Sequence, residues 1–378
     1  MSLVLSTMNF ISRPFIMSST RVYCIKSELP SSVVIKALAD FVNFKLVHPS
    51  PPAIAAELAS VKNSITPVAD FFTAARNRLY PECINGSKVG NANRASDKLQ
   101  EVDEAVGLFP KSNANLSFLD LCGGPGGFSD FILKKIPSAS GIGMTLKDAI
   151  DWLPDLVNSN RFEIFWGPGN DGNIYNRQNR KALADCCRTL RCNLVVADGG
   201  FKVNDENLQE AITARLLLCE LLVALTCLEK HGNFCCKLFD SFTPVISGLI
   251  FVVARCFRDC FIVKPKTSRI TNSERYIVGK GFKGYGEELE ILVRILEMGD
   301  DWFASEMVTH RHEEASLASA VASIELFPSK GLLKMDKRFS MDLEISTIDL
   351  AERQTEALKE VLEEAKRSQM RSKRKRMG

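Results

Sequence analysis

A glycine-rich stretch in the middle of the chain restricts the possible folds more than any other sequence feature. Residues 118–128 read Phe-Leu-Asp-Leu-Cys-Gly-Gly-Pro-Gly-Gly-Phe, which predicts a short apolar strand, a tight turn and a helix that starts at Phe128. Glycine adopts positive φ without penalty, and it lets a ligand approach the backbone because it has no Cβ. The free N–H groups and positive dipole end of the following helix favour an anionic ligand group. The stretch therefore predicts a ligand-binding strand–turn–helix unit.

The spacing of these glycines narrows the choice of ligand. A dinucleotide-binding fingerprint has the pattern G-x-G-x-x-G, and a phosphate-binding loop requires Gly-Lys-Ser/Thr. Neither pattern is present, and Pro125 stands in the middle of the glycines. Asp120, which precedes them, can accept hydrogen bonds from hydroxyl groups or from an amino group. This combination suits a nucleoside that carries a carboxylate tail, such as S-adenosylmethionine (SAM).

Composition limits the classes of site and partner. A net charge of +3 over 378 residues is too small to indicate nucleic-acid binding by itself. The twelve cysteines have no regular spacing and no C-x-x-C pair, and there are four scattered histidines. We therefore expect neither a disulfide framework nor a metal site. The apolar segments 216–228 and 246–257 are short and carry charged residues, so we expect no membrane span.

From residue 117 onward the pattern alternates between strand and helix. The predicted strands are 118–121, 141–145, 162–166, 194–197, 233–239, 261–264 and 275–280. This alternation predicts the α/β class, with a Rossmann-like, mostly parallel seven-stranded sheet and helices on both faces. We expect an N-terminal extension (1–66), a core domain (67–289) and a C-terminal extension (290–378) with a helix over 344–376.

Three charged residues fall at predicted strand ends, where ligands bind in such sheets. Asp198 and Lys237 end two successive strands, and Glu274 opens a later one. Each alone would be an ordinary member of an ion pair, but together beside the glycine turn they predict a catalytic group. A lysine assists methyl transfer to a ribose 2′-hydroxyl group when burial or a second lysine lowers its pKa, although flanking acids oppose that lowering.

The chain resembles the FtsJ/RrmJ-like family of SAM-dependent RNA 2′-O-methyltransferases, and within it the eukaryotic cap-specific group. The resemblance covers residues 75–282 and is carried by the segments 120–129, 143–147, 197–201, 206–210, 236–240 and 267–276. It implies a Lys-Asp-Lys-Glu tetrad, of which Asp198, Lys237 and Glu274 are the last three members. The segment 93–98, Asn-Arg-Ala-Ser-Asp-Lys, resembles the family's Asn-Arg-Ala-x-x-Lys and assigns Lys98 as the first.

The resemblance also implies which residues bind ligands. Lys237 would take up the 2′-hydroxyl proton, while the other three tetrad residues orient it and tune its pKa. The implied SAM contacts are Asp120, Cys122, Gly123, Gly124, Pro125, Gly126, Gly127 and Phe128, with Asp171 at the adenine. The implied contacts to RNA and its cap are Arg76, Arg78, Arg94 and Asn272.

The resemblance implies methylation of the first transcribed nucleotide of m7G-capped RNA, which converts cap 0 to cap 1. One alternative is an rRNA ribose methyltransferase, including a mitochondrial one, because the first 27 residues contain arginines and serines but no acid. The bacterial-type rRNA enzymes have Asp-Met-Ala/Ser-Pro where this chain has Asp-Gly-Gly-Phe (198–201), which favours the cap group. The other alternative is a non-catalytic RNA-binding relative, which the filled tetrad and glycines argue against.

The basic cluster 371–376, Arg-Ser-Lys-Arg-Lys-Arg, predicts nuclear localisation or an RNA-contacting arm. A cap-specific function would bring the capping machinery or RNA polymerase II as protein partners. The sequence indicates no oligomeric state.

Overall fold

The computed structural model describes residues 20–39, 45–46, 52–80, 90–109, 115–147, 152–310, 313–325 and 332–377. Their strands are β1 (Arg21–Ile25), β2 (Lys45–Leu46), β3 (Ser117–Leu121), β4 (Ser140–Met144), β5 (Phe162–Ile164), β6 (Leu194–Ala197), β7 (Asn233–Leu238), β8 (Phe257–Lys264), β9 (Arg275–Phe282) and β10 (Ile324–Glu325). Their helices are α1 (Ser31–Ala39), α2 (Ala53–Asn63), α3 (Ala69–Leu79), α4 (Gly90–Val106), α5 (Gly127–Lys135), α6 (Pro154–Val157), α7 (Arg177–Leu190), α8 (Gln209–Cys227), α9 (Pro244–Cys256), α10 (Glu287–Thr309), α11 (Glu314–Ala322), α12 (Leu332–Met335) and α13 (Lys337–Met377).

The main sheet has eight strands in the order β1-β8-β9-β7-β6-β3-β4-β5. Strands β5, β4, β3, β6 and β7 are parallel neighbours, whereas β9 is antiparallel to β7 and β8, and β1 is antiparallel to β8. The predicted α/β class and mostly parallel sheet are confirmed. The eighth strand is β1, from the segment that we expected to be an extension. Of the five residues of β1, Ile25 alone is buried. The sequence of β1 therefore lacks a clear strand pattern, and its pairing with β8 is what makes it a strand.

The core lies on both faces of this sheet. Strand β6 is buried along its whole length, which explains its continuous apolar sequence. Helix α8 is buried on nearly all sides because α7, α9, α10, α11 and β7 pack around it. Its apolar character therefore reflects a central position in the core. In the described ranges we find no helix with the length and hydropathy needed to cross a bilayer.

The two extensions pack against each other. Helix α13 contacts α2, α3 and β1, and it buries Leu358 and Val361 in a cluster with Leu58, Phe72 and Ala75. It begins at Lys337, earlier than the sequence pattern indicated. Helices α2, α3 and α13 thereby form a wall that faces the carboxyl ends of the central strands.

Candidate active site

The glycine turn after β3 opens into a cavity of about 580 Å³, within the usual size range of cofactor sites. Helix α5 starts at Gly127, directly after Gly126, whose φ of 105° suits glycine and which has no side chain to cap the helix. In the first turn, the Asp120 carboxylate accepts from the Ser129 backbone N–H. The cavity is lined by Cys122, Gly123, Gly124, Pro125, Gly127 and Phe128 from the turn, and by Lys98, Thr145, Leu146, Asn173, Tyr175 and Asp198 among others. An uncapped helix start beside a cavity is a suitable place for a carboxylate.

Asp120 lies beneath the turn and not in the cavity lining. Its side chain is fully buried, and Oδ2 accepts a hydrogen bond of 2.6 Å from the Ser129 hydroxyl group. A Cβ atom at Gly123 would come within 2.3 Å of Asp120 Oδ1, so this position requires glycine. Burial raises the pKa of Asp120 to about 7, against the lowering effect of the Ser129 hydrogen bond. Asp120 therefore supports the turn from below.

The loop after β5 supplies the opposite wall. Asp171 accepts hydrogen bonds from the Asn173 backbone N–H at 3.0 Å and from Asn179 Nδ2 at 2.7 Å, and these bonds lower its pKa. Its side chain thus stabilises the loop, while Asn173 and Tyr175 line the cavity. Sequence reasoning missed both, although polar residues that follow β4 and β5 at the ligand-binding edge were a usable signal.

The four side chains of the predicted tetrad come together beside this cavity. Lys98 Nζ lies 2.8 Å from Glu274 Oε1, and Lys237 Nζ lies 3.3 Å from Asp198 Oδ1. Lys237 also donates to the backbone carbonyl of Asp198 at 2.8 Å, and the Tyr276 hydroxyl group donates to Asp198 Oδ1 at 2.9 Å. Parallel strands β6 and β7 bring Asp198 and Lys237 to one edge, while α4 supplies Lys98.

A lysine that acts as a base must be neutral, which a lowered pKa favours. The charges around Lys237 have the opposite effect on its pKa. Burial lowers the pKa of Lys237, but the nearby carboxylates of Asp198 and Glu274 outweigh burial, and the net pKa is raised. Burial likewise raises the pKa of Glu274, yet Lys98 and Lys237 together bring it well below its usual range. As expected, burial and the flanking acids act on this pKa in opposite directions; the acids prevail, so the protonated form of Lys237 is favoured.

A second, wider cleft of about 920 Å³ lies on the other side of the tetrad. Lys237 and Glu274 line this cleft, whereas Lys98 and Asp198 line the first cavity. Gly200 and Phe201 line both, and Phe201 is 42% exposed. The tetrad therefore stands at the junction of two spaces, one bounded by the glycine turn and one bounded by the wall of α2, α3 and α13.

The four residues predicted to contact RNA lie in three different places. Arg76 and Asn272 line the wide cleft, and Arg94 lines the cavity beside the glycine turn. Arg78 lies against α13, where it forms an ion pair of 3.1 Å with Glu364, so α13 positions it away from the cleft lining. The cleft also contains residues that sequence reasoning missed, among them Lys62, Lys202 and Phe239.

The fold and the site place this protein in the class of Rossmann-like, SAM-dependent methyltransferases. Residues 92–282, just over half of the chain, match the family of FtsJ-like methyltransferases. The chain belongs to that family.

Three relatives show the range of similarity, and each is named cap-specific mRNA (nucleoside-2′-O-)-methyltransferase 1. The Trypanosoma cruzi protein is 33% identical over 309 residues, which is 77% of this chain and 80% of that protein. The Leishmania braziliensis protein is 34% identical over 61% of this chain and 64% of its own length. The mouse protein is 44% identical over 55% of this chain, but the match spans only 28% of the mouse protein.

Proposed function

We propose that the protein transfers a methyl group from SAM to the ribose 2′-hydroxyl group of the first transcribed nucleotide of m7G-capped RNA. The observation that carries the proposal is the position of the tetrad between two spaces of different character. A methyl donor in the glycine-turn cavity and a ribose in the wide cleft would meet across Lys98, Asp198, Lys237 and Glu274. In-line transfer needs donor and acceptor on opposite sides of the reacting centre.

The cavity has the groups that SAM requires. Bound SAM would supply an activated methyl group. The uncapped start of α5 at Gly127 suits its carboxylate, while Asn173 and Thr145 offer polar atoms and Tyr175 an aromatic face for the nucleoside. The backbone at Gly123 and Gly124 permits close approach because neither residue has a Cβ.

The tetrad residues would divide the proton chemistry between them. Lys237 faces the cleft, and its amine would accept the proton of the ribose hydroxyl group as the new C–O bond forms and the sulfur–methyl bond of the donor breaks, which would leave a neutral thioether. Asp198 holds the Lys237 amine in place, and Glu274 is held in turn by Lys98. Because Lys237 is protonated at rest, it must first lose a proton. RNA that covers the cleft would exclude water and so favour the neutral amine.

The cleft suits a capped RNA end. Arg76 and Lys202 line it and can contact phosphates, which supply affinity and salt dependence but no sequence choice. Lys62 also lines the cleft but is buried and paired with Asp240 at 3.5 Å. Phe201 and Phe239 add aromatic surface, which suits the cationic ring of a methylated guanine. The names of the relatives point to the same substrate.

Transfer of labelled methyl groups to three matched RNAs tests this function. The RNAs carry an m7G cap, an unmethylated guanosine cap or no cap, and nuclease digestion locates the label. We expect label on the first ribose of the m7G-capped RNA alone, and none with the Lys237→Met variant. Equal labelling of the uncapped RNA would refute cap specificity and favour an rRNA-type enzyme. RNA binding without transfer to any RNA would favour a non-catalytic relative.

A further inference from the structure

Lys264 is a buried lysine that the tetrad does not include. It is the last residue of β8 and is only 4% exposed. It is absent from the linings of both the glycine-turn cavity and the wide cleft, which favours an indirect role. Burial of a lysine side chain costs free energy unless its nitrogen has hydrogen-bond partners. The partners of Lys264 therefore indicate what this side chain does.

All four acceptors around Lys264 Nζ belong to the segment 265–274, which joins β8 to β9. They are the backbone carbonyls of Arg269 at 3.1 Å, Asn272 at 2.6 Å and Glu274 at 2.6 Å, and the Asn272 side-chain Oδ1 at 3.0 Å. Since a lysine nitrogen carries at most three protons, the four acceptors must share them. The Lys264 side chain therefore holds together the segment that carries Glu274 of the tetrad and Asn272 of the cleft lining.

Other side chains also hold this segment. Glu101 Oε2 on α4 accepts from the Lys266 backbone N–H at 2.6 Å, and Arg275 and Gln354 donate to the backbone carbonyls of Ser273 at 3.0 Å and Thr271 at 3.3 Å. The internal backbone hydrogen bonds of the segment join Ser268 to Pro265 and Asn272 to Arg269, both at 3.1 Å. The Ser268 hydroxyl group donates to Glu274 Oε1 at 2.7 Å. Lys264 makes four hydrogen bonds to the segment from the end of β8, more than Glu101, Arg275 or Gln354 makes, and thereby connects the part between Arg269 and Glu274 to the sheet.

The contact with Asn272 also orients its amide group. Because Oδ1 accepts from Lys264, the Nδ2 group is the part of the side chain left for the cleft that Asn272 lines. An amide nitrogen offers two donors, which suits a phosphate or hydroxyl oxygen of RNA.

We propose that Lys264 is a positioning residue for methyl transfer, which holds the segment 265–274 so that Glu274 meets Lys98 and the Asn272 amide nitrogen faces the cleft. This inference rests on the proposed function for its effect on catalysis. Its effect on the segment itself does not depend on the substrate. The two can therefore be tested separately.

The first experiment compares the wild type with Lys264→Met, which keeps the length of the side chain and removes its donors. Lys266→Met is the matched control, because this lysine is on the same segment and its side chain is exposed. Steady-state methyl transfer to m7G-capped RNA gives kcat and both KM values. We expect Lys264→Met to lower kcat by about 10- to 100-fold, as small misplacements of a catalytic group do. The KM for RNA should rise, and the KM for SAM should not change.

Hydrogen exchange of the backbone amides supplies the readout that is independent of substrate. We expect faster exchange confined to 265–274 in Lys264→Met and wild-type exchange in Lys266→Met. A wild-type kcat or unchanged exchange in this segment would overturn the proposal. Faster exchange across the whole sheet would overturn it as well, since Lys264 would then serve general stability. If Lys264→Met does not fold, Lys264→Gln replaces it with the same criteria.

A second variant tests the amide orientation on its own. Asn272→Asp keeps the oxygen that accepts from Lys264 and removes the Nδ2 donors. We expect the KM for capped RNA to rise about tenfold or more, as for a lost hydrogen bond to a charged group, with kcat nearly unchanged. An unchanged KM for RNA would refute this part. If the wild type methylates no capped RNA, the proposed function fails, and exchange still decides whether Lys264 holds the segment.

Discussion

Substitution of Glu274 by glutamine should weaken folding and shift the pH dependence of catalysis at the same time. Glu274 is the carboxylate that receives Lys98 at 2.8 Å, and its side chain is only 13% exposed. With Asp198 and Glu220, it is also one of the three carboxylates that hold the pKa of Lys237 above its ordinary range, against burial. Glutamine keeps the shape of the side chain and removes the charge, so both effects should be visible in one variant.

The size of the folding effect follows from the pKa of Glu274. Burial alone would raise this pKa, but Lys98 and Lys237 bring it from its ordinary 4.5 to about 2. At about 1.4 kcal/mol for each factor of ten in acidity, this amounts to about 3 kcal/mol of stability. Because the pKa is lower in the folded state, the contribution is complete above pH of about 4.5 and is lost as the pH falls toward about 2.

Two measurements test these effects. Denaturant unfolding of the wild type and Glu274→Gln at pH 7 should give a free-energy difference of about 3 kcal/mol, and this difference should shrink when unfolding is repeated below pH 4.5. The pH profile of kcat/KM should show an apparent pKa for Lys237 that is lower in the variant than in the wild type. Glu104→Gln, an exposed acid on α4, is the control and should change neither quantity.

Equal stability of Glu274→Gln and wild type at pH 7 would contradict the ion-pair argument. An apparent pKa that moves upward in the variant would contradict the assignment of Lys237 as the titrating base. Either result would show that the charge of Glu274 does not have the role that its position in the tetrad indicates.

Four further predictions concern single features. Lys237→Met should reduce methyl transfer by about 10²- to 10⁴-fold but leave SAM affinity by calorimetry unchanged, because Lys237 lines the cleft; lost SAM binding would contradict this. Wild-type kcat/KM should rise about tenfold per pH unit between pH 6 and 8, since the raised pKa of Lys237 leaves little neutral amine there; a plateau below pH 8 would contradict it. Gly126→Ala should reduce SAM affinity and Tm, because φ is 105° and the new Cβ would lie 2.1 Å from Leu156; wild-type values of both would count against a strained turn. Deletion of 371–376 should reduce nuclear accumulation of the tagged protein; unchanged localisation would show that this basic cluster is not a nuclear localisation signal.

The strand-end residues were predictable because one rule of parallel sheets governs them. Asp198 and Lys237 follow neighbouring strands, so their proximity is fixed once the strands are identified. Glu274 opens an antiparallel strand that pairs with β7, which again brings it to the same edge. Lys98 came from a motif resemblance alone, and the structure brings it to Glu274.

Features that depend on distant packing could not be predicted in the same way. The place of Arg78 is decided by Glu364 on α13, a contact between remote parts of the chain that no local pattern encodes. The direction of the pKa change at Lys237 depends on distances to the carboxylates of Asp198, Glu274 and Glu220, and these distances exist only in the folded chain. Lys62 lines the cleft because α13 packs against α2 and because Asp240 pairs with the Lys62 amine at 3.5 Å, and both contacts join remote parts of the chain.

The wall of α2, α3 and α13 comes from segments that flank the family match, whereas the glycine turn lies inside it. The segment that matches the family, residues 92–282, contains the glycine turn and all four tetrad residues. Arg76 and Lys62, by contrast, lie before it, and Gln354 and Leu358 of the cleft lie after it. Changes in the flanking segments can therefore alter the lining of the wide cleft without altering the glycine turn or the four tetrad residues.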